Sequence, residues 1–208
     1  MQNIVAVLFK NESEGFQAIT ELRQEPATEN YMLLQMALIK RQGQAISVSD
    51  SYDSGIQAGG NAMLGGLMGG LIGILGGPIG VLLMGSYGML AGSLTGSAEA
   101  MDNAAMIEMV SSKLLDGEVA LVALAEEAEE ADLDARLGKF DVEIARFDAA
   151  VVAEEVEEAQ KMQKEMDRQA RMQLRDAKRA EHKKNVEEKR AKIAADFDAF
   201  KKKHKKAD

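Results

Sequence analysis

Apolar positions divide the first part of the chain into short elements. Ile4 to Phe9 is an unbroken apolar run, too short for a core helix and rich in β-formers. It reads as a central strand buried on both faces. Asn11-Glu12-Ser13-Glu14 supplies a helix start, with Asn11 or Ser13 as N-cap and carboxylates in the first turn. Phe16, Ile19 and Leu22 form the apolar stripe of that helix, and Pro26 ends it. A second strand is expected from Tyr31 to Arg41, followed by a turn at Gln42-Gly43-Gln44. A third runs from Ala45 to Ser49, where Ile46 and Val48 alternate with serines as in a half-buried strand.

Further along, Met101 to Leu115 reads as a helix carrying Met106, Met109, Val110 and Leu114, closed by Gly117. Val119 to Leu124 is a second apolar run and a second central strand. A short acidic helix, Glu127 to Leu137 and closed by Gly138, leads to Phe140–Phe147. There Phe140, Val142 and Ile144 alternate with Asp141, Glu143 and Ala145, the pattern of an edge strand with one wet face. From Ala150 to Lys203 no Gly or Pro occurs, so one long helix or two shorter ones are expected. The first six elements, β-α-β-β-α-β, match a ferredoxin-like split βαβ arrangement, and the expected class is α+β.

Between the third strand and the second helix lies a connection unlike an ordinary loop. Ser54 to Ala98 is 45 residues without a charge and holds 15 of the 19 glycines. Gly65, Gly69, Gly73 and Gly77 sit four apart, and Gly88, Gly92 and Gly96 repeat the spacing. Residues four apart share a helix face, so the spacing predicts two helices with smooth packing stripes. Gly76, Gly77 and Pro78 form the expected hairpin turn. Domains follow from this division: residues 1–53 with 99–149 as an α/β domain, 54–98 as a glycine-zipper hairpin, and 150–208 as a charged helical tail.

The opening strand and helix, the run Gly-Gly-Leu-Ile-Gly-Ile-Leu-Gly-Gly-Pro-Ile-Gly at 69–80, and Asp116-Gly117 followed by Val119-Ala120-Leu121-Val122 carry a resemblance. Together they resemble a bacterial family catalogued as domain of unknown function 1269 and described as predicted membrane proteins. The resemblance covers residues 3–150. It implies an α/β domain with a membrane hairpin and brings no established biochemical activity.

Each arm of the hairpin is long enough for a bilayer: 22 and 20 residues, or about 33 and 30 Å as helix. Only 17 of the 45 residues are Leu, Ile, Val or Met, so insertion would have to be cooperative, with glycine faces packed together. The opposing reading is a soluble oligomer whose hairpins bury one another's apolar faces.

Charge adds a second asymmetry. Residues 1–160 hold eight Lys/Arg against 25 Asp/Glu, while residues 161–208 hold 17 against nine. Glu157–Lys161, Asp167–Arg171 and Glu188–Lys192 are spaced for i,i+4 ion pairs on the tail helix. Phe197 and Phe200 beside Lys201, Lys202, Lys203, Lys205 and Lys206 offer a contact for anionic lipid; two phenylalanines make a poor platform for nucleic acid.

Other chemistry finds little footing. There is no cysteine. No Gly-x-Gly or Gly-Lys-Ser/Thr phosphate loop occurs. Asp50 and Asp53 lack an EF-hand register and read as a polar strand exit, with Ser54 and Gln57 as a capping box. His182 and His204 cannot meet on one helix, and the acidic pairs Glu126-Glu127, Glu129-Glu130, Glu154-Glu155 and Glu157-Glu158 read as wet helix faces. No catalytic residue, metal or cofactor is expected. The amino terminus lacks a basic signal region, and the basic residues flanking the hairpin place both termini in the cytoplasm. The reading is a non-enzymatic, membrane-inserting protein that binds itself and the lipid bilayer, as scaffold, remodeller or stress-linked factor. Its alternatives are an oligomeric membrane pore and a cytoplasmic homo-oligomeric scaffold with hairpins packed at its centre.

Overall fold

Two strands without a polar side set the architecture. In the computed structural model, which describes residues 1–55, 66–84 and 106–204, these are β1 (Gln2–Phe9) and β4 (Val119–Glu127). They pair antiparallel from Gln2 opposite Glu126 to Phe9 opposite Val119. The other side of β4 pairs with β2 (Tyr31–Gln42), and the other side of β1 with β5 (Val142–Asp148). A hairpin adds β3 (Ala45–Asp53) beyond β2. The order is β3-β2-β4-β1-β5 with every neighbour antiparallel, so β1 and β2 run parallel with β4 between them. The protein is α+β.

Side-chain alternation gives each sheet face its own cover. Val5, Val7, Phe9, Val119, Leu121, Ala123 and Ala125 join one core with Ala18, Ile19 and Leu22 of α1 (Glu12–Gln24) and Leu133 and Leu137 of α5 (Glu130–Leu137). Ile4, Ala6, Ala37, Ile39, Ala120, Val122 and Leu124 face the other way and are equally buried. A bulge in β2 between Leu33 and Gln35 switches its parity, so Leu33, Met36 and Leu38 stay with the first core. The second face is covered by α2 (Leu67–Leu75), α3 (Pro78–Met84), α4 (Met106–Lys113) and the start of α6 (Ala149–His204), with Leu71, Ile74, Leu75, Met106, Val110, Val152 and Val156 buried.

The chain divides into two units, Met1–Gln163 and Lys164–Asp208. The first therefore includes the described glycine helices and the opening turns of α6. In the second, the described residues form the continuation of α6 to His204.

Several sequence expectations change in detail. Phe16 is 37% exposed; the inward stripe of α1 is Gly15, Ala18, Ile19 and Leu22. Gly15 lets the helix approach the sheet, since a Cβ there would lie 2.6 Å from Val119 Cγ2. Asn11 is the N-cap by backbone geometry, without a side-chain cap bond. Strand β4 extends to Glu127, three residues beyond its expected end, and α5 begins only at Glu130. Strand β3 likewise runs on to Asp53, so Asp50 and Asp53 belong to it. Asp50 pairs with Arg23 at 2.7 Å, while Asp53 accepts hydrogen bonds from the Gly55 N–H and Gln35 Nε2. Gln57 lies outside the described residues.

Glu127 is the largest departure, because it is buried rather than wet. Its residue number continues the odd parity of Val119 to Ala125, which places it on the first core face. There Arg146 of β5 grips it through Nε at 3.2 Å and Nη2 at 3.1 Å, and Asn3 Nδ2 donates to it at 3.0 Å. Arg146 Nη2 also reaches Asp134 of α5 at 2.7 Å. The cluster ties β4, β1, β5 and α5 together at one end of the sheet. Removing one side of such a pair strands a buried charge. Arg146→Met is expected to destabilise the protein by about 3–5 kcal/mol in denaturant unfolding. The double variant Glu127→Leu/Arg146→Met is expected to recover more than half of that loss. A loss in the single variant no larger than that of an exposed pair would show the cluster to be solvated.

Candidate interaction surface

The apolar segment places its side chains by helical geometry. In α2, Leu67, Met68, Leu71, Ile74 and Leu75 point into the second core. The residues left on the outside are Gly66, Gly69, Gly73 and Gly76, all exposed. Their spacing of three, four and three keeps them within a sector of about 80° on a helix turning 100° per residue. The outer face of α2 is thus largely backbone, with the half-buried Ile72 at its edge.

These glycines differ in what surrounds them. At Gly66, Gly69 and Gly73 an added Cβ would meet nothing within 4 Å among the described residues. At Gly70 it would lie 2.8 Å from Val156 Cγ1 and from Gln160 Nε2, so α6 packs directly on the α2 backbone there. At Gly76 it would lie 2.8 Å from the Ile46 carbonyl oxygen, where the end of α2 rests on β3. At Gly77 it would be 2.7 Å from the Gly73 carbonyl and 3.2 Å from the Gln163 amide group. Internal packing accounts for Gly70, Gly76 and Gly77. It does not account for Gly66, Gly69 or Gly73.

The helix break falls at the expected turn. Gly76 caps α2, its N–H bonding back to the Ile72 carbonyl at 2.9 Å, and Pro78 opens α3 where its missing N–H costs nothing. Of the expected packing residues, Gly69 and Gly73 lie on the open face and Gly77 is turned inward; Gly65, Gly88, Gly92 and Gly96 lie outside the described residues. The described helices are nine and seven residues long; residues 56–65 and 85–98 of the two expected arms lie outside the described residues. Among the described residues no helix is long and apolar enough to cross a membrane. Phe197, Phe200, Lys201, Lys202 and Lys203 lie in α6, and Lys205 and Lys206 lie outside the described residues.

Neither α2 nor α3 carries a titratable group, so the electrostatics of this side come from α6. The Glu155 carboxylate accepts the first backbone N–H groups of α4, from Met106 at 3.3 Å and Ile107 at 3.5 Å. It caps that helix from a different one, using donors every helix start leaves open. Burial pushes the Glu155 carboxyl above its usual range, partly opposed by those two N–H groups. A raised carboxyl pKa favours the folded state below the usual value and progressively less as pH rises through the shifted one. Sequence reasoning grouped Glu155 with wet glutamates; the signal available was its position between buried Val152 and Val156 on one helix stripe.

Other clefts offer less. Between α1 and α5, Arg136 pairs with Glu25 and Lys139 with Glu21, so each cation along that groove is already neutralised by the facing helix. Among the described residues no cluster of three His, Asp or Glu could hold a metal ion. No family model, curated protein or solved structure matches this chain.

The contrast between adjacent glycines is directly testable. Alanine is favoured over glycine within a helix by about 0.8–1.0 kcal/mol. Gly69→Ala is therefore expected to raise stability by up to that amount, whereas Gly70→Ala is expected to lower it by forcing α6 away from α2. Thermal unfolding at low protein concentration measures both. Equal shifts of the same sign would mean that α6 does not pack on Gly70.

Proposed function

We propose that this chain is a non-enzymatic, self-associating protein that uses the outer glycine face of α2 as its contact surface. The single observation that carries the reading is the open space at Gly66, Gly69 and Gly73. Gly66 is the N-cap, a position that suits glycine, but Gly69 and Gly73 within the helix forfeit roughly 2 kcal/mol of helix propensity relative to alanine. Nothing within the described part of the chain requires them. Small residues on one face allow two helix backbones to approach closely, gaining dispersion contacts along the whole stripe. A second copy of the same stripe is the self-complementary partner.

The ferredoxin-like reading takes a modified form in this proposal. The elements β1, α1, β2, β4, α5 and β5 make a split βαβ pair with strand order β2-β4-β1-β5. Strand β3 and the helices α2 to α4 are then one insertion between β2 and β4. Kinship with the family that residues 69–80 resemble belongs to the same proposal, since those residues are the α2–α3 turn and its flanks.

A bilayer setting is the second reading. It rests on the uncharged run from Ser54 to Ala98, of which only residues 66–84 and the first two belong to the described chain. The test is sedimentation velocity of the wild type and Gly73→Leu, in detergent-free buffer and in detergent micelles. Oligomers that Gly73→Leu converts to a folded monomer support the glycine contact. Association seen only in micelles moves it to the membrane, and a wild-type monomer in both media overturns it.

A further inference from the structure

The second unit carries a pattern that the bulk charge of the tail conceals. Arg168, Arg171, Arg175 and Arg179 recur at intervals of three, four and four along α6. On a helix these intervals keep all four within a sector of about 80°, over about 16 Å of axis. All four are exposed, as is His182 in the same register. The acids between 167 and 188, namely Asp167, Asp176, Glu181, Glu187 and Glu188, fall outside that sector.

The arginines are also not consumed by their own helix. Arg168 has only a marginal contact with Glu165, at 4.0 Å. The expected Asp167–Arg171 pair does not form within the described residues, although Glu157–Lys161 does, at 2.7 Å. Arg171, Arg175 and Arg179 make no ion pair with any described residue. An exposed row of unpaired guanidinium groups is a surface for planar anions, which arginine grips with two parallel N–H groups.

We infer that this arginine face is a docking surface for an anionic phospholipid bilayer. Three observations favour lipid over nucleic acid. The sector contains no Asn or Gln that could read base edges, since Gln169, Gln173 and Asn185 lie outside it. Val186 within it is apolar, and Met172, 56% exposed, lies at its border. In sequence the same register continues through Ile193, Phe197 and Phe200. Cationic groups for lipid phosphates together with apolar groups for the acyl boundary are the composition of an interfacial helix. The inference is independent of the glycine contact, which lies in the other unit.

The test uses full-length protein with vesicles of phosphatidylcholine alone and of phosphatidylcholine mixed with phosphatidylglycerol, at low and high salt. Three variants decide it: Arg171→Gln/Arg175→Gln/Arg179→Gln, a control Lys183→Gln/Lys184→Gln/Lys192→Gln that removes equal charge from other faces, and the wild type. Each basic residue near an anionic surface contributes about fivefold in partitioning. The arginine variant is expected to lose about a hundredfold in binding to the anionic vesicles, in a salt-sensitive manner. The control is expected to lose less than about tenfold, since its lysines do not face the bilayer. Equal losses in the two variants overturn the face. Equal wild-type binding to both vesicle types overturns the lipid. Binding of duplex DNA that the arginine variant alone loses, without vesicle binding, assigns the face to nucleic acid instead.

Discussion

The central strands β1 and β4 are apolar on both sides, and a sheet built on them must be covered twice. One cover comes from α1 and α5, amphipathic helices of ordinary composition that turn charged faces outward. The other has to come from the segment between β3 and β4, because it contributes most of the remaining apolar residues of the first unit. Leu71, Ile74, Leu75, Met106 and Val110 fill this role, completed by Val152 and Val156 from α6. The hydrophobic effect acts on apolar area without regard to direction. The sheet face is therefore as good a destination for such a segment as a bilayer.

That cover has an unusual exterior. An ordinary covering helix presents long polar side chains to water, whereas α2 presents glycine backbone edged by the half-buried Ile72. Gly70 and Gly76 are explained by what lies beneath them, the side of α6 and the edge of β3. Among the described residues nothing lies beneath Gly69 and Gly73, while Gly66 is the N-cap of α2. A smooth apolar face on the outside of a packed unit is where self-association is physically favoured. The charged α6 adds a separate element, with Arg168, Arg171, Arg175 and Arg179 exposed along one helical register.

The strands were legible in the sequence because burial on both faces leaves continuous apolar runs at 4–9 and 119–124. The edge character of β5 was legible because one of its faces is wet. Phe16 misled because an aromatic normally outranks glycine on a buried stripe; here Gly15 and Ala18 bring α1 too close to the sheet for a large ring. Glu127 misled because a pair of glutamates usually marks a solvated helix, although strand parity already placed it among core positions. The glycine spacing foretold a smooth face, which Gly69 and Gly73 form on α2, but not its setting, because the same stripe serves against a neighbouring helix in water or in lipid. The arginine face escaped notice because net charge, unlike helical register, does not say where the charges point.

Absence of cysteine makes one measurement especially clean, because Gly69→Cys introduces a single thiol into the outer glycine face. Helix backbones in contact along such a stripe bring equivalent residues within disulfide range. A control thiol at Thr20→Cys lies on an exposed position of α1. On mild oxidation in detergent-free buffer, the expected result is a covalent dimer from Gly69→Cys in large excess over Thr20→Cys. Equal yields from the two thiols, or no dimer from Gly69→Cys, would contradict self-association through this face.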